Sequence, residues 1–192
     1  MEGRPGPLIR VAGGGAAAGN GSAAPLILTL AMDAASFERF GGMRRRYFPP
    51  ERNVIPAHVT LFHHLPGGRL ADVAATVEAV CAGQDGPLAV MATGLRFLGR
   101  GVAYALDSPE LEALRCRLAT AWEPWLTAQD RQRFRPHVTV QNKVAPAVAR
   151  ALHDQLQAAF APFRVDGEGL LLWRYLGGPW EQVAAFAFPR AD

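Results

Sequence analysis

From residue 25 onward the apolar positions follow two rhythms: short runs, and stripes that recur every three or four residues. Pro25–Met32 is a short apolar run and predicts a buried strand. Asp33 can cap a helix carrying Phe37, Phe40 and Met43 at helical spacing, ending near Tyr47-Phe48-Pro49-Pro50. The segment Pro56-Ala57-His58-Val59-Thr60-Leu61 reads as a strand closed by Pro66-Gly67-Gly68. Leu70, Val73, Ala74, Val77, Val80 and Cys81 then form one helical stripe, broken by Gly86-Pro87 before a strand over residues 88–98.

The order then repeats. Val102–Asp107 predicts a strand, and Ser108-Pro109 supplies an N-cap with proline at the first helical position. Leu111, Leu114, Leu118, Trp122 and Trp125 mark a third helix, Arg135-Pro136-His137-Val138-Thr139-Val140 a further strand, and Val148, Leu152, Leu156 and Phe160 the inward side of a fourth helix from Pro146. Two strands, over 163–176 and 180–188, close the chain. Helices segregated from antiparallel strands predict an α+β fold. The repeat predicts two lobes related by a pseudo-twofold axis, each an antiparallel sheet backed by helices, meeting near residue 92 with a cleft between them. The expected domain spans residues 25–188. It follows an extension over residues 1–24 that is rich in Gly, Ala and Pro and reads as flexible.

The repeated segments both read His-x-Thr-aliphatic, in a chain with only five histidines. Side chains on a strand alternate between faces. Val59 and Leu61 therefore face the helices, while His58, Thr60, Phe62 and His64 face the other way. By the same rule Val138 and Val140 point inward, and His137, Thr139, Gln141 and Lys143 point toward the cleft. A lone histidine on a strand is ordinary, but two in matching places of a repeat predict a shared site. Two imidazoles can act as acid and base near neutrality, and two hydroxyls can donate to developing charge on phosphoryl oxygens.

Composition narrows the alternatives. Hydrophobic residues at 49% and charged residues at 19% match a soluble globular chain, and a net charge of +3 implies no broad nucleic-acid-binding surface. The positive charge is nearly all arginine, with Lys143 the single lysine, a bias that a GC-rich genome explains. Two isolated cysteines outside any CxxC pattern, and no apolar run of membrane-spanning length, predict a cytoplasmic protein without disulfides. The tail has no Gly-Lys-Ser/Thr, so its glycines make no phosphate loop, and no signal-peptide core is present. No His-Glu-x-x-His occurs, and the 58–70 segment offers His63-His64 no carboxylate, so a metal hydrolase is the weaker reading.

Tandem H-x-T motifs on central strands of a duplicated α+β chain resemble the 2H phosphoesterase superfamily, in particular its 2′-5′ RNA ligase and RNA cyclic phosphodiesterase branch. The resemblance covers about residues 25–188. It rests on His58-Val59-Thr60-Leu61 and His137-Val138-Thr139-Val140, with Pro136 and Phe62 beside them. It implies a phosphodiesterase that needs no metal or cofactor, acting on 2′,3′-cyclic or 2′-5′-linked ends of RNA or nucleotides, with weak ligase activity as the reverse reaction. It also implies His58 as general acid and His137 as base; the near-symmetry of the two segments assigns neither role by itself. Thr60 and Thr139 are the phosphate-binding candidates. Phe62, Arg135, Lys143 and Arg96 are the substrate-binding candidates, Phe62 as a stacking surface for a base or simply as a lining of the sheet. Arg100 and the Arg44-Arg45-Arg46 run are expected to steer an anionic substrate or to form a solvated face, and His64, with Lys143, to border the cleft. The rival from another class is a binding module that holds an RNA end or nucleotide without turning it over. A monomer is expected, because pairing of the halves already buries each sheet.

Overall fold

The computed structural model describes residues 23–190, so the extension expected over residues 1–24 lies almost wholly outside the described residues. Helix starts follow the caps read from sequence. Asp33 caps α1 (Ala34–Tyr47) by accepting from the Ser36 amide at 2.9 Å. Its second oxygen accepts from the Asp166 amide, also at 2.9 Å, which ties the helix start to a distant strand. Ser108 caps α3 (Pro109–Ala121) through the Leu111 amide, with Pro109 at the first position. The other two helices are α2 (Leu70–Ala82) and α4 (Pro146–Ala158). In α4, Val148 is 53% exposed, and Ala149 and Leu152 take the buried positions instead.

The strands are β1 (Leu26–Met32), β2 (Val59–Leu65), β3 (Leu88–Phe97), β4 (Val102–Asp107), β5 (His137–Gln141), β6 (Phe163–Tyr175) and β7 (Trp180–Ala187). All pair antiparallel in the order β2-β1-β6-β3-β4-β5, with β7 also on β6. Strand β6 joins the two halves. Its Gly167–Arg174 stretch pairs with β1 along one edge, while the opposite edge takes β3 at Phe163–Gly167 and β7 at Gly169–Tyr175. One half is thus β2-β1-β6-β7 and the other β6-β3-β4-β5, each carrying one motif strand. Strand β3 follows the first motif in sequence yet pairs in the half of the second. The two ends of the order, β2 and β5, lie beside one another, so the sheet folds over and sets the motif strands side by side. Helix α1 packs on β5, α4 on β3 and β4, α2 on β6 and β7, and α3 on β3 and against α2.

One core runs under both halves, including Leu28, Leu30, Val59 and Leu61 from one and Tyr104, Leu106, Val138 and Val140 from the other. Both motif strands break the strict alternation just beyond their threonine. The β1–β2 register slips between Thr60 and Phe62, and the β4–β5 register slips between Thr139 and Gln141. A bulge adds one residue to the strand and reverses the faces beyond it. Phe62 and Gln141, expected on the cleft face, are therefore turned into the interior at 0% and 4% exposure.

Candidate active site

Each motif begins with a residue whose free carbonyl receives the histidine two positions later. His58 Nδ1 lies 2.8 Å from the Pro56 carbonyl oxygen, and His137 Nδ1 lies 2.9 Å from that of Arg135. A carbonyl only accepts, so Nδ1 carries the proton in both rings and donates it. The Nε2 lone pair of each neutral imidazole is then left for chemistry. Burial pushes the His58 pKa down to about 4, with the charges of Arg44, His137 and His63 adding to the effect and the Pro56 carbonyl opposing it. Burial also lowers His137, assisted by Arg96 and His63 and opposed by the Arg135 carbonyl. With pKa values below the ordinary 6.5, both rings are neutral at pH 7. Thr60 and Thr139 are half-buried on the same faces as their histidines, paired across the strands with Thr29 and Ala103.

Two buried arginines hold the motif strands, and each comes from the opposite half of the chain. Arg44 on α1 is 3% exposed. It donates to the Thr139 carbonyl at 2.8 Å, to the Ile55 carbonyl at 3.0 Å and to Asn53 Oδ1 at 3.0 Å. One guanidinium thus joins the backbone of the second motif to the approach of the first. Desolvation lowers its pKa to about 10, which leaves it charged at neutral pH. Arg115 on α3 is 8% exposed, donates to the Asp130 carbonyl and, at 3.5 Å, to the Leu61 carbonyl, and lies over the Phe62 ring at 4.8 Å. By composition the Arg44-Arg45-Arg46 run reads as a solvated, substrate-steering surface. Arg44 is instead one helical turn beyond Phe40, on the inward face, and that spacing is the signal that distinguishes it from Arg45 and Arg46.

Asp130 had no signal in the sequence because it sits in the loop before β5. Its carboxylate accepts from the amides of His63 at 2.8 Å and His64 at 3.0 Å, which holds β2 open beyond its bulge. Burial alone would raise its pKa, but these bonds and the His63 ring, 3.3 Å away, hold it below the usual carboxylate range.

The two sides of the cleft differ in lining. On the His58 side the Trp180 ring lies 4.8 Å from the imidazole, and Trp173 lies 6.1 Å from Trp180. A cavity of about 160 Å³ opens there, lined by His58, Thr29, Met32, Phe37, Trp173 and Gln182. Phe37, placed by its helical spacing with the core, is 43% exposed because it faces this cavity. On the His137 side a cavity of about 320 Å³ is lined by Arg96, Arg133, Arg135, Ser108, Asp107 and Glu112. Arg96 approaches the Arg135 carbonyl and His137 Nδ1, each at 3.4 Å. Since Nδ1 is itself a donor to that carbonyl, Arg96 and the ring share one acceptor.

Among the expected site residues, the structure therefore groups His58, Thr60, His137, Thr139, Arg96 and the exposed Arg135. Phe62 is not available to stack on a base, since it packs on Trp122 with ring centroids 5.1 Å apart. Lys143 does not continue the cleft face: β5 ends at Gln141, and Lys143 turns with φ 59° into an exposed loop beside Arg100. His64 is exposed beyond the bulge. Among the described residues no cluster of three His, Cys, Asp or Glu side chains is placed to hold a metal ion, and no helix is long and apolar enough to cross a membrane. Both cysteines are free thiols.

A family model described as the 2′-5′ RNA ligase superfamily matches residues 32–179. The chain belongs to that superfamily, one of phosphoesterases and 2′-5′ RNA ligase-like enzymes, in keeping with its doubled motif. No curated protein matches it. Its fold is similar to TT0787 of Thermus thermophilus, with TM-score 0.63 and 16% identity over 88% of this chain and 100% of that one. It is also similar to E. coli LigT complexed with 3′-AMP, with TM-score 0.55 and 16% identity over 87% and 99%. A structure described as a phosphoesterase matches with TM-score 0.55 and 14% identity over 88% and 99%. The α+β architecture, a large antiparallel sheet backed by helices, is common to these proteins.

Proposed function

We propose that this enzyme hydrolyses 2′,3′-cyclic phosphates at the ends of RNA or on nucleotides, by acid–base catalysis between His58 and His137. The observation that carries the reading is the matched anchoring of the two rings. Both donate Nδ1–H to a carbonyl two residues back, so both Nε2 atoms are free at strands that lie side by side. The solved complex of the fold relative LigT with 3′-AMP supports a nucleotide-sized ligand.

In the proposed step, one neutral imidazole takes a proton from water as its oxygen bonds to phosphorus. The P–O3′ bond breaks opposite, and the departing oxygen takes a proton from the other, protonated imidazole. The product is a 2′-phosphate with a free 3′-hydroxyl. The family resemblance assigns His58 as acid and His137 as base. The acid must then be charged when substrate is bound, and the phosphodiester anion supplies that bias by raising its pKa against the burial that lowers it. Thr60 and Thr139 donate to the non-bridging oxygens, and Arg96 faces the same charge from the His137 side. With the 5′-hydroxyl of a second RNA end in place of water, the same ring opening breaks P–O3′, leaves a 2′-5′ linkage and gives the weak ligase reaction.

The test is turnover of 2′,3′-cyclic nucleotides and cyclic-phosphate-ended RNA in a strong chelator, with the product isomer identified. A 2′-phosphate product, lost in the His58→Ala and His137→Ala variants, is expected. Binding without turnover by the parent would assign the cleft to a binding module instead.

A further inference from the structure

We propose that the β6–β7 hairpin is a nucleobase subsite, in which Trp180 stacks the base of the nucleotide whose phosphate lies between the histidines and Trp173, its ring tilted 55° to Trp180, walls the subsite from the side. The inference rests on the phosphodiesterase reading for the position of the phosphate, and it adds where the rest of the substrate goes.

Cross-strand partners share a face, and the hairpin register pairs Tyr175 with Trp180 and Trp173 with Gln182. That face is the one toward His58, because Trp173, Gln182 and His58 line the same cavity and Trp180 touches the imidazole. The platform is pre-set. Trp173 Nε1 donates to the hydroxyl of Thr29 at 2.8 Å, and Thr29 is itself 1% exposed, which fixes the indole plane. Gly177, with φ 84° in the turn over residues 176–179, lets the hairpin close so that Trp180 follows directly. Tyr175, 40% exposed, extends the same aromatic face outward.

The occupant follows from the contrast across the cleft. A cyclic nucleotide has one anionic end and one flat, apolar-faced end. The His137 side offers Arg96, Arg133 and Arg135, three cations against the two carboxylates Asp107 and Glu112, while the His58 side offers two indoles, Phe37 and the donor and acceptor of Gln182. Phe62, the aromatic named from sequence as one candidate for this role, is fully buried. Aromatic faces hold bases with little sequence preference, so the subsite accepts purines and pyrimidines alike.

Calorimetry at one pH compares adenosine 2′-monophosphate with ribose 2-phosphate, on the parent and on Trp180→Ala and Trp180→Phe. The parent is expected to prefer the nucleotide. Trp180→Ala should cut the ratio of the two affinities by about ten- to a hundredfold, and Trp180→Phe should restore most of it. Taking the ratio cancels any change at His58. Equal affinity of the parent for both ligands, or equal loss of both in Trp180→Ala and Trp180→Phe, overturns the subsite. Because binding is the readout, failure of the phosphodiesterase reading appears separately, as absence of turnover by the same parent protein.

Discussion

The two halves of the cleft are built from the same parts and lined with different ones. Each has a histidine folded back on a carbonyl, a threonine two residues on, and a bulge that sends the next-but-one residue into the core. Each motif strand is also gripped on its backbone by a buried arginine from the other half of the chain. What is duplicated is the apparatus that positions two imidazoles. The surroundings have diverged, to tryptophan beside His58 and arginine beside His137. The shared part suits an in-line reaction that needs a donor and an acceptor of protons, and the divergent part gives the bound molecule a direction.

The histidines break the comparison most severely. His58→Ala and His137→Ala should each lower kcat by about 10³-fold, and the double variant should lose little more, since either role is useless without the other. Steady-state rates of the three variants check this. Additive losses would mean that the rings work separately.

Thr60→Val and Thr139→Val come next. Each should reduce kcat by about 10²-fold with little change in KM, as expected of donors that bond most strongly to the charge formed in the transition state. A loss confined to one of them would show that the phosphoryl group sits toward a single half.

Arg44→Met tests the positioning apparatus. It strands the Thr139 and Ile55 carbonyls and Asn53, and should cost about 3 kcal/mol in denaturant unfolding, with a fall in kcat. Arg44→Lys should recover little, because one ammonium cannot span three separated acceptors.

The smallest effects are in pH. Both imidazoles have native pKa values below the ordinary 6.5, so the unfolded chain binds more protons as pH falls from about 6.5 toward about 4. Stability contributed by the neutral rings is therefore present above 6.5 and is lost through that window. His58→Gln should flatten the loss by no more than about 3 kcal/mol, and by less in so far as the ring is open to solvent. The kcat/KM profile should be a bell with both limbs below pH 6.5, since it reports the free enzyme.

Much of this was legible in the chain. Caps at Asp33 and Ser108, the helical stripe after Ser108, and the doubled His-x-Thr all follow from local rules, whereas Phe37, in the stripe after Asp33, leaves the core to line the His58 cavity. The misplacements on the motif strands share one cause. Phe62, Gln141 and Lys143 were placed by carrying period-two alternation past a bulge or past a strand end, and no residue pattern marks either. Asp130, which receives the His63 and His64 amides where the β1–β2 register slips a second time, is far away in sequence and recognisable only through those amides. Trp180 was hidden for a similar reason: its partner His58 is joined to it only through the pairing of β2, β1, β6 and β7. The exchange of β3 into the second half was equally invisible, because hydrophobic rhythm identifies a strand without naming its neighbour.

The central claim is that one phosphoryl group engages both imidazoles. Titrating ¹⁵N-histidine-labelled protein with inorganic phosphate and following the ring nitrogens by NMR tests it most directly. The account predicts that the Nε2 signals of His58 and His137 both move, with one common dissociation constant. Movement of only one, or two distinct constants, would contradict it.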